Sequence, residues 1–146
     1  MRTLLFFAGG VILNACSPGG VRATSSVLTG CWGGVPTERA NQYVMEFEGI
    51  YMEATEGGIF SRSARCPEYR MRVTTSNQDI RERFIQLGEP FQGLPILGAG
   101  FRAHATITLK ERRDNYHFVM ELDDLRDLRP MSEAETRRFI EQFDIG

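Results

Sequence analysis

The side chains in this chain that could do covalent, metal or acid–base chemistry are few and widely spaced. Cysteines stand at Cys16, Cys31 and Cys66, and histidines at His104 and His117. No two cysteines have the C-x-x-C spacing of a thioredoxin-type redox site or a zinc ribbon. The histidines fall on the two facing strands of an expected hairpin, His117 opposite Arg112 and His104 opposite Leu125. An offset of about eight residues at roughly 3.3 Å each holds them roughly 26 Å apart, so one ion cannot take both. They read as surface histidines, and neither a metal nor a cofactor is expected.

Glu121, Asp123, Asp124 and Asp127 form an acidic patch. A calcium loop needs closely alternating oxygen ligands around a turning glycine, and that glycine is missing here. Paired carboxylates can act as acid and base, but strand alternation turns several of these outward, so a solvated strand edge is expected. Ser61 and Ser63 have no histidine nearby in sequence to activate them. The chain also lacks G-x-x-x-x-G-K-[ST], H-E-x-x-H and G-x-S-x-G. A hydrolase can assemble its groups from distant segments, yet the expectation is a protein with no catalytic residues. Two features read as binding surfaces instead. Phe91, Leu94, Pro95, Ile96 and Leu97 make an apolar loop, either a lid over the core or a patch for a partner. Arg62, Arg65, Arg70 and Arg72 offer a basic surface to an anionic glycan or lipid headgroup, or else a plain solvated strand face.

Charge narrows the partners. Seventeen Lys and Arg against nineteen Asp and Glu leave a formal charge of −2 over 146 residues. That balance lacks the basic footprint of a nucleic-acid binder. The length suits one domain with a real core. No apolar run reaches the roughly 18 residues of a membrane-spanning helix.

The first residues read as an address. Met1-Arg2-Thr3 is a short positive start, residues 4–13 are apolar and uncharged, and a small residue precedes Cys16, which is the pattern of a secretory signal. Leu13-Asn14-Ala15-Cys16 resembles the lipobox of bacterial lipoproteins, a family that usually has Ser, Ala, Thr or a small aliphatic residue where Asn14 stands. The resemblance implies that residues 1–15 are removed and that the Cys16 thiol takes a diacylglycerol. Acyl chains such as palmitate then tie the protein to a membrane. Ser17 after the cysteine implies the outer membrane, facing the periplasm. Ordinary cleavage after Ala15 or Ala23 is the alternative. With Cys16 given to lipid, Cys31 and Cys66 remain as one pair in an oxidising compartment, where a disulfide is expected. Residues 16–26, with much Ser, Gly and Pro, read as a flexible tether, and residues 27–146 as one domain.

Within that domain, residues 41–53 carry a two-residue period through Tyr43, Met45 and Phe47, and the apolar phase switches after Gly49, which suggests a bulge or bend. Ile59-Phe60 starts a second strand, and Tyr69, Met71 and Val73 a third. Ile80, Phe84 and Leu87 lie at helical spacing behind Ser76 and Asp79, a weakened capping box, with Gly88 placed to end the helix. Residues 88–100 read as loop. Strands 101–112 and 116–125 then alternate about a two-residue turn at Asp114-Asn115, pairing Leu109 with Met120 and Ile107 with Leu122. After Pro130, Ser132 and Glu135 form a Ser-x-x-Glu capping box before a helix with Ala134, Phe139, Ile140 and Phe143 on one stripe.

Three strands, a helix, two strands and a final helix give the order of an OB-like five-stranded antiparallel barrel, mainly β, with an extra C-terminal helix. An open sheet with two helices on one face is the alternative. Phe47-Glu48-Gly49-Ile50-Tyr51, Glu56, Phe60, Cys66-Pro67 and Leu128-Arg129-Pro130 resemble small, mostly uncharacterised bacterial envelope proteins. That resemblance implies an OB-like barrel of no known enzymatic activity. The functional expectation is a non-catalytic, lipid-anchored envelope protein that binds a protein or glycan partner and no nucleic acid. A small secreted hydrolase or stress factor without an anchor is the alternative.

Overall fold

A computed structural model describes residues 23–52, 58–91 and 98–143. Along the chain lie α1 (Thr24–Trp32), β1 (Val35–Pro36), β2 (Gln42–Met52), β3 (Gly58–Arg62), β4 (Arg70–Thr74), α2 (Gln78–Gly88), a 3₁₀ turn (Glu89–Phe91), β5 (Ala99–Arg113), β6 (His117–Pro130) and α3 (Glu133–Phe143). β2 pairs with β3, β3 with β4, β4 with β6, and β6 with β5, which returns to β2 and closes a five-strand barrel; β1 adds beside β2. Closure removes the open edges of the alternative open sheet.

The pairings are antiparallel except β4–β6, which is parallel from Arg70↔His117 to Thr74↔Glu121. The barrel is thus mixed, where alternation alone suggested an all-antiparallel one. The connection is the reason. α2 and β5 intervene after β4, β5 takes the place beside β2, and β6 comes back next to β4 running the same way. A parallel pair requires such a long crossover. The architecture is mainly β, a closed mixed barrel with helices, consistent with an OB-like barrel.

Met45, Phe47, Met71, Val73, Phe101, Ile107, Phe118, Met120 and Leu122 point inward and form one buried cluster. Two helices stop its ends. Trp32 of α1 meets Phe118 edge-on with ring centroids 6.2 Å apart, near the β5–β6 turn. Phe84 of α2 meets Phe101 at 5.1 Å, at the other end of that hairpin. The α1 helix corrects the expected tether, because Thr24–Ser26 form its first turn. Val27, Leu28, Cys31 and Trp32 lie at helical spacing and are buried, so packing outweighs the Ser and Gly around them. Gly33, at φ 65°, closes the helix in the left-handed region. The signal and lipobox, including Cys16, lie outside the described residues.

Gly49 breaks no register: Gly49↔Ser61 and Gly49↔Phe101 continue evenly into Ile50↔Phe60 and Ile50↔Gly100. No bulge causes the phase switch. Ile50 turns outward and is buried there against Met131, Phe139 and Phe143 from the α3 side. The glycine is needed for space, since a Cβ would stand 2.3 Å from the Phe60 carbonyl oxygen and 2.7 Å from the Phe101 ring. The α2 cap also differs. The Asn77 carboxamide accepts from the Asp79 and Ile80 amides, while Ser76 donates to Glu121 instead. The C-terminal capping box forms as expected: Ser132 N–H donates to Glu135 at 2.9 Å and Glu135 N–H to the Ser132 hydroxyl at 3.1 Å.

The expected hairpin register holds from Ile107↔Leu122 to Leu109↔Met120, slips by one residue towards the turn, and slips by one and then, from His104 outward, by two residues towards the other end. Irregularities at His104/Ala105, Thr106/Ile107 and Leu109/Glu111 account for this. The turn spans Asp114, Asn115 and Tyr116, with φ of 44° at Asp114 and 77° at Asn115. His117 therefore faces Arg113 rather than Arg112, and His104 faces Asp127 rather than Leu125.

Candidate functional site

The slipped register assembles a row that simple alternation does not predict. Arg62 of β3 lies opposite Arg70 of β4, Arg70 opposite His117 of β6, and His117 opposite Arg113 of β5. All four alternate with inward residues (Ser61, Met71, Phe118) and stand on the barrel's outer surface. With strands roughly 4.8 Å apart, the row spans roughly 14–15 Å. Like charges facing each other across strands are destabilising. Burial pushes His117 below the ordinary imidazole value; Asp114 opposes this, while Arg113, Arg70 and Arg72 reinforce it. Arg113 is paired with Glu111 at 3.2 Å, and Arg62 donates to the Pro67 carbonyl at 2.9 Å.

A second row flanks the first. Arg72 lies between Phe60 and Val119, and its Nε is buried without a hydrogen-bond partner among the described residues. A polar atom left that way is uncommon in a folded protein. At the turn end, Tyr116 is 43% exposed, stacks on Tyr69 with centroids 5.4 Å apart, and accepts the Arg70 amide on its carbonyl at 2.8 Å. Of the basic surface expected from sequence, Arg62, Arg70 and Arg72 come together. Arg65 lies apart in the turn after β3, where it and Arg62 line a second groove. His117 and Arg113 are the members that sequence reasoning missed; only the one-residue slip at Lys110 reveals them.

That other groove, of about 760 Å³, runs along β2, β5 and β6 between Arg62, Arg65, Glu46, His104, Arg102 and Asp127. Its charges are largely matched. Arg102 bridges Glu48 at 2.9 Å and Glu135 at 3.4 Å, Arg129 pairs with Asp127 at 2.8 Å, and His104 lies 4.0 Å from Glu46. It reads as a surface lattice of ion pairs, each of small worth.

The acidic patch is dispersed into structural roles. Glu121 accepts from Thr74, Ser76 and the Ser76 amide. Asp123 accepts from Gln42 and Thr108. Ser61 and Ser63 are buried; Ser61 donates to the Glu48 carbonyl and accepts from the Trp32 indole, and Ser63 donates to the Cys31 carbonyl. Each hydroxyl is thus engaged, Ser61 in holding α1 and β2 to β3 and Ser63 in holding α1 to the segment after β3. No group of His, Cys, Asp and Glu among the described residues could hold a metal ion. Cys31 and Cys66 form a disulfide with Cα atoms 5.5 Å apart, tying α1 to the β3–β4 link. Leu94, Ile96 and Leu97 of the expected partner patch lie outside the described residues; Phe91 ends the 3₁₀ turn.

Comparison with protein-family models, curated proteins and solved structures finds no match.

Proposed function

We propose that this chain is a non-catalytic binding module of the bacterial cell envelope, anchored by lipid on Cys16 and facing the periplasm from the outer membrane. Its barrel holds a protein or glycan partner. The observation that carries the binding half of this reading is the row of three arginines and a histidine, Arg62–Arg70–His117–Arg113, set on an outer face beside the aromatic Tyr116. The strand order β2-β3-β4-β6-β5, closed through β2 and with α2 between β4 and β5, supports assignment to the OB fold. That fold commonly serves as a binding scaffold. The disulfide supports an oxidising compartment. The Leu13-Asn14-Ala15-Cys16 segment supports the anchor. Buried, engaged Ser61 and Ser63 give the secreted-hydrolase alternative no nucleophile among the serines considered for it.

The anchor is tested by metabolic labelling with a fatty-acid probe in a bacterial host. The wild-type chain takes the label and fractionates with membranes, because two or more acyl chains anchor stably where one does not. Cys16→Ala is unlabelled and leaves the membrane fraction. Equal labelling of the two removes lipidation from the reading.

A further inference from the structure

Resting on the binding-module reading above and committing it to a protein partner, we infer that β2 takes an extended peptide segment in the groove between β1 and β3. The backbone of Glu46 pairs with the peptide, and a peptide carboxylate meets Arg65. β2 has β5 along one side; on the other it has β1 at Tyr43 and Val44, and β3 from Gly49 onward. Between these, positions 45–48 face no strand among the described residues.

The phase of the ladder fixes which groups are left over. Asn41 accepts the Leu109 amide on the β5 side, and Gln42 accepts the Thr37 amide on the other. Backbone groups in an antiparallel pair alternate in direction, so the even positions of β2 turn away from β5. Val44 is taken by Val35 of β1, and the Glu48 carbonyl by the Ser61 hydroxyl. The Glu46 N–H and C=O, between them, have no partner among the described residues. Glu46 lines the groove. A donor and an acceptor on one extended residue are matched by one residue of a second extended chain, which offers the reciprocal pair. A glycan hydroxyl can meet either group but brings no such pair at ladder spacing. The gap from Val44 to Glu48 is roughly 13 Å long, room for about three extended residues before the peptide lifts over β1 and β3.

The walls specify the side chains. Val35 is 63% exposed, the most open of the large apolar side chains described, and an apolar neighbour buries it. Across the gap stands Arg65, exposed, its guanidinium without a partner among the described residues. The other arginines of the groove are engaged: Arg102 with Glu48 and Glu135, Arg129 with Asp127, and Arg62 on the Pro67 carbonyl. Arg65 is therefore the cation left for an occupant, and its fork suits a carboxylate.

The full-length chain in non-ionic detergent is panned against a displayed library of random peptides of about nine residues. An enriched peptide is synthesised and titrated by calorimetry and amide NMR. Enriched peptides carry Asp or Glu beside alternating apolar residues. On binding, the Glu46 amide signal moves and its hydrogen exchange slows about tenfold or more. N-methylation at one peptide residue removes binding, and at the residues flanking it does not. Arg65→Glu weakens binding about tenfold or more, while Arg70→Glu changes it by less than about twofold. An unenriched library, equal binding by Arg65→Glu, or shifts at Arg70 and His117 in place of Glu46 overturns the inference. A Glu46 amide already protected in the free chain also overturns it, because a second copy or a stretch of this chain then fills the gap. Peptide capture at Arg70 and His117 keeps the binding-module reading and removes only this site. Capture at Glu46 by a chain that takes no fatty acid keeps this site and removes the anchor.

Discussion

At His117 an imidazole is held between arginines of two neighbouring strands, with one carboxylate, Asp114, at the adjoining turn. Burial above all, and the arginines after it, hold its folded value below the ordinary one of about 6.5, so on acidification the unfolded chain takes the proton first. The sign follows: its contribution to stability is fully present above about pH 6.5 and is lost as the pH falls from there through the folded value. Removing neighbours changes the midpoint in opposite directions. Asp114→Asn lowers it further and Arg70→Ala raises it, as read from imidazole carbon shifts by NMR, with His104→Gln used for assignment. Two shifts of the reverse sign would mean that these charges do not tune the value that burial lowers. Neither the row nor this coupling was legible in the sequence. Alternation does place Arg70, Arg72 and His117 on outward faces, but they become neighbours through the parallel β4–β6 register, and Arg113 joins them through the slip between Leu109 and Glu111.

The β5–β6 hairpin supplies the barrel's longest pairing and carries two tests of its packing. Ile107 is fully buried opposite Leu122, so Ile107→Ala costs about 2–5 kcal/mol in a urea denaturation series. Its neighbour Thr108 faces outward and donates to Asp123, so Thr108→Ala costs about 1 kcal/mol, the worth of one hydrogen bond. Equal losses at the two positions would place Thr108 in the core and the register in error. Gly49 tests the crossing of three strands. A Cβ there runs into the Phe60 backbone and the Phe101 ring, and the carbonyl cannot swing aside without breaking the β2–β3 ladder. Gly49→Ala therefore lowers the urea midpoint by the equivalent of about 1–3 kcal/mol, as overpacking does. The capping box at Ser132 and Glu135 was legible because both halves lie within one turn. The α2 cap was not, because Glu121, remote in sequence, draws Ser76 away and leaves Asn77 to cap.

Over the whole molecule, the disulfide joins the helix that stops one barrel end to the link between β3 and β4, across a sequence separation of 35. In the chain-entropy view a closure of that length stabilises the fold by about 3–4 kcal/mol. Trp32, the chain's one tryptophan, is adjacent to Cys31 and buried against Phe118, so its fluorescence reports the event directly. The Cys31→Ala, Cys66→Ala pair of substitutions lowers the urea midpoint of the Trp32 transition by the corresponding amount. An unchanged midpoint would show that α1 needs no staple. Charge sets no such constraint on the fold: its ion pairs at Arg102, Arg129 and Arg137 are half-exposed and each contributes little.

Patterns carried by neighbouring residues are determined by the sequence alone. Two-residue alternation defined β2, β4, β5 and β6, helical spacing defined α2 and α3, and the Ile107↔Leu122 and Leu109↔Met120 pairs followed from a turn and two apolar faces. Such signals survive because each is written in side chains that must share one face of one element. Tertiary structure alone decided the parallel β4–β6 pair, which depends on where β5 docks, and the burial of Ile50 outside the barrel, which depends on α3. It alone turned Thr24–Trp32 into a helix, since the stabilising surface belongs to the barrel end and not to the segment. The row of three arginines and a histidine belongs to the same class: its members come from four strands, and only the closed, bulged sheet brings them into line.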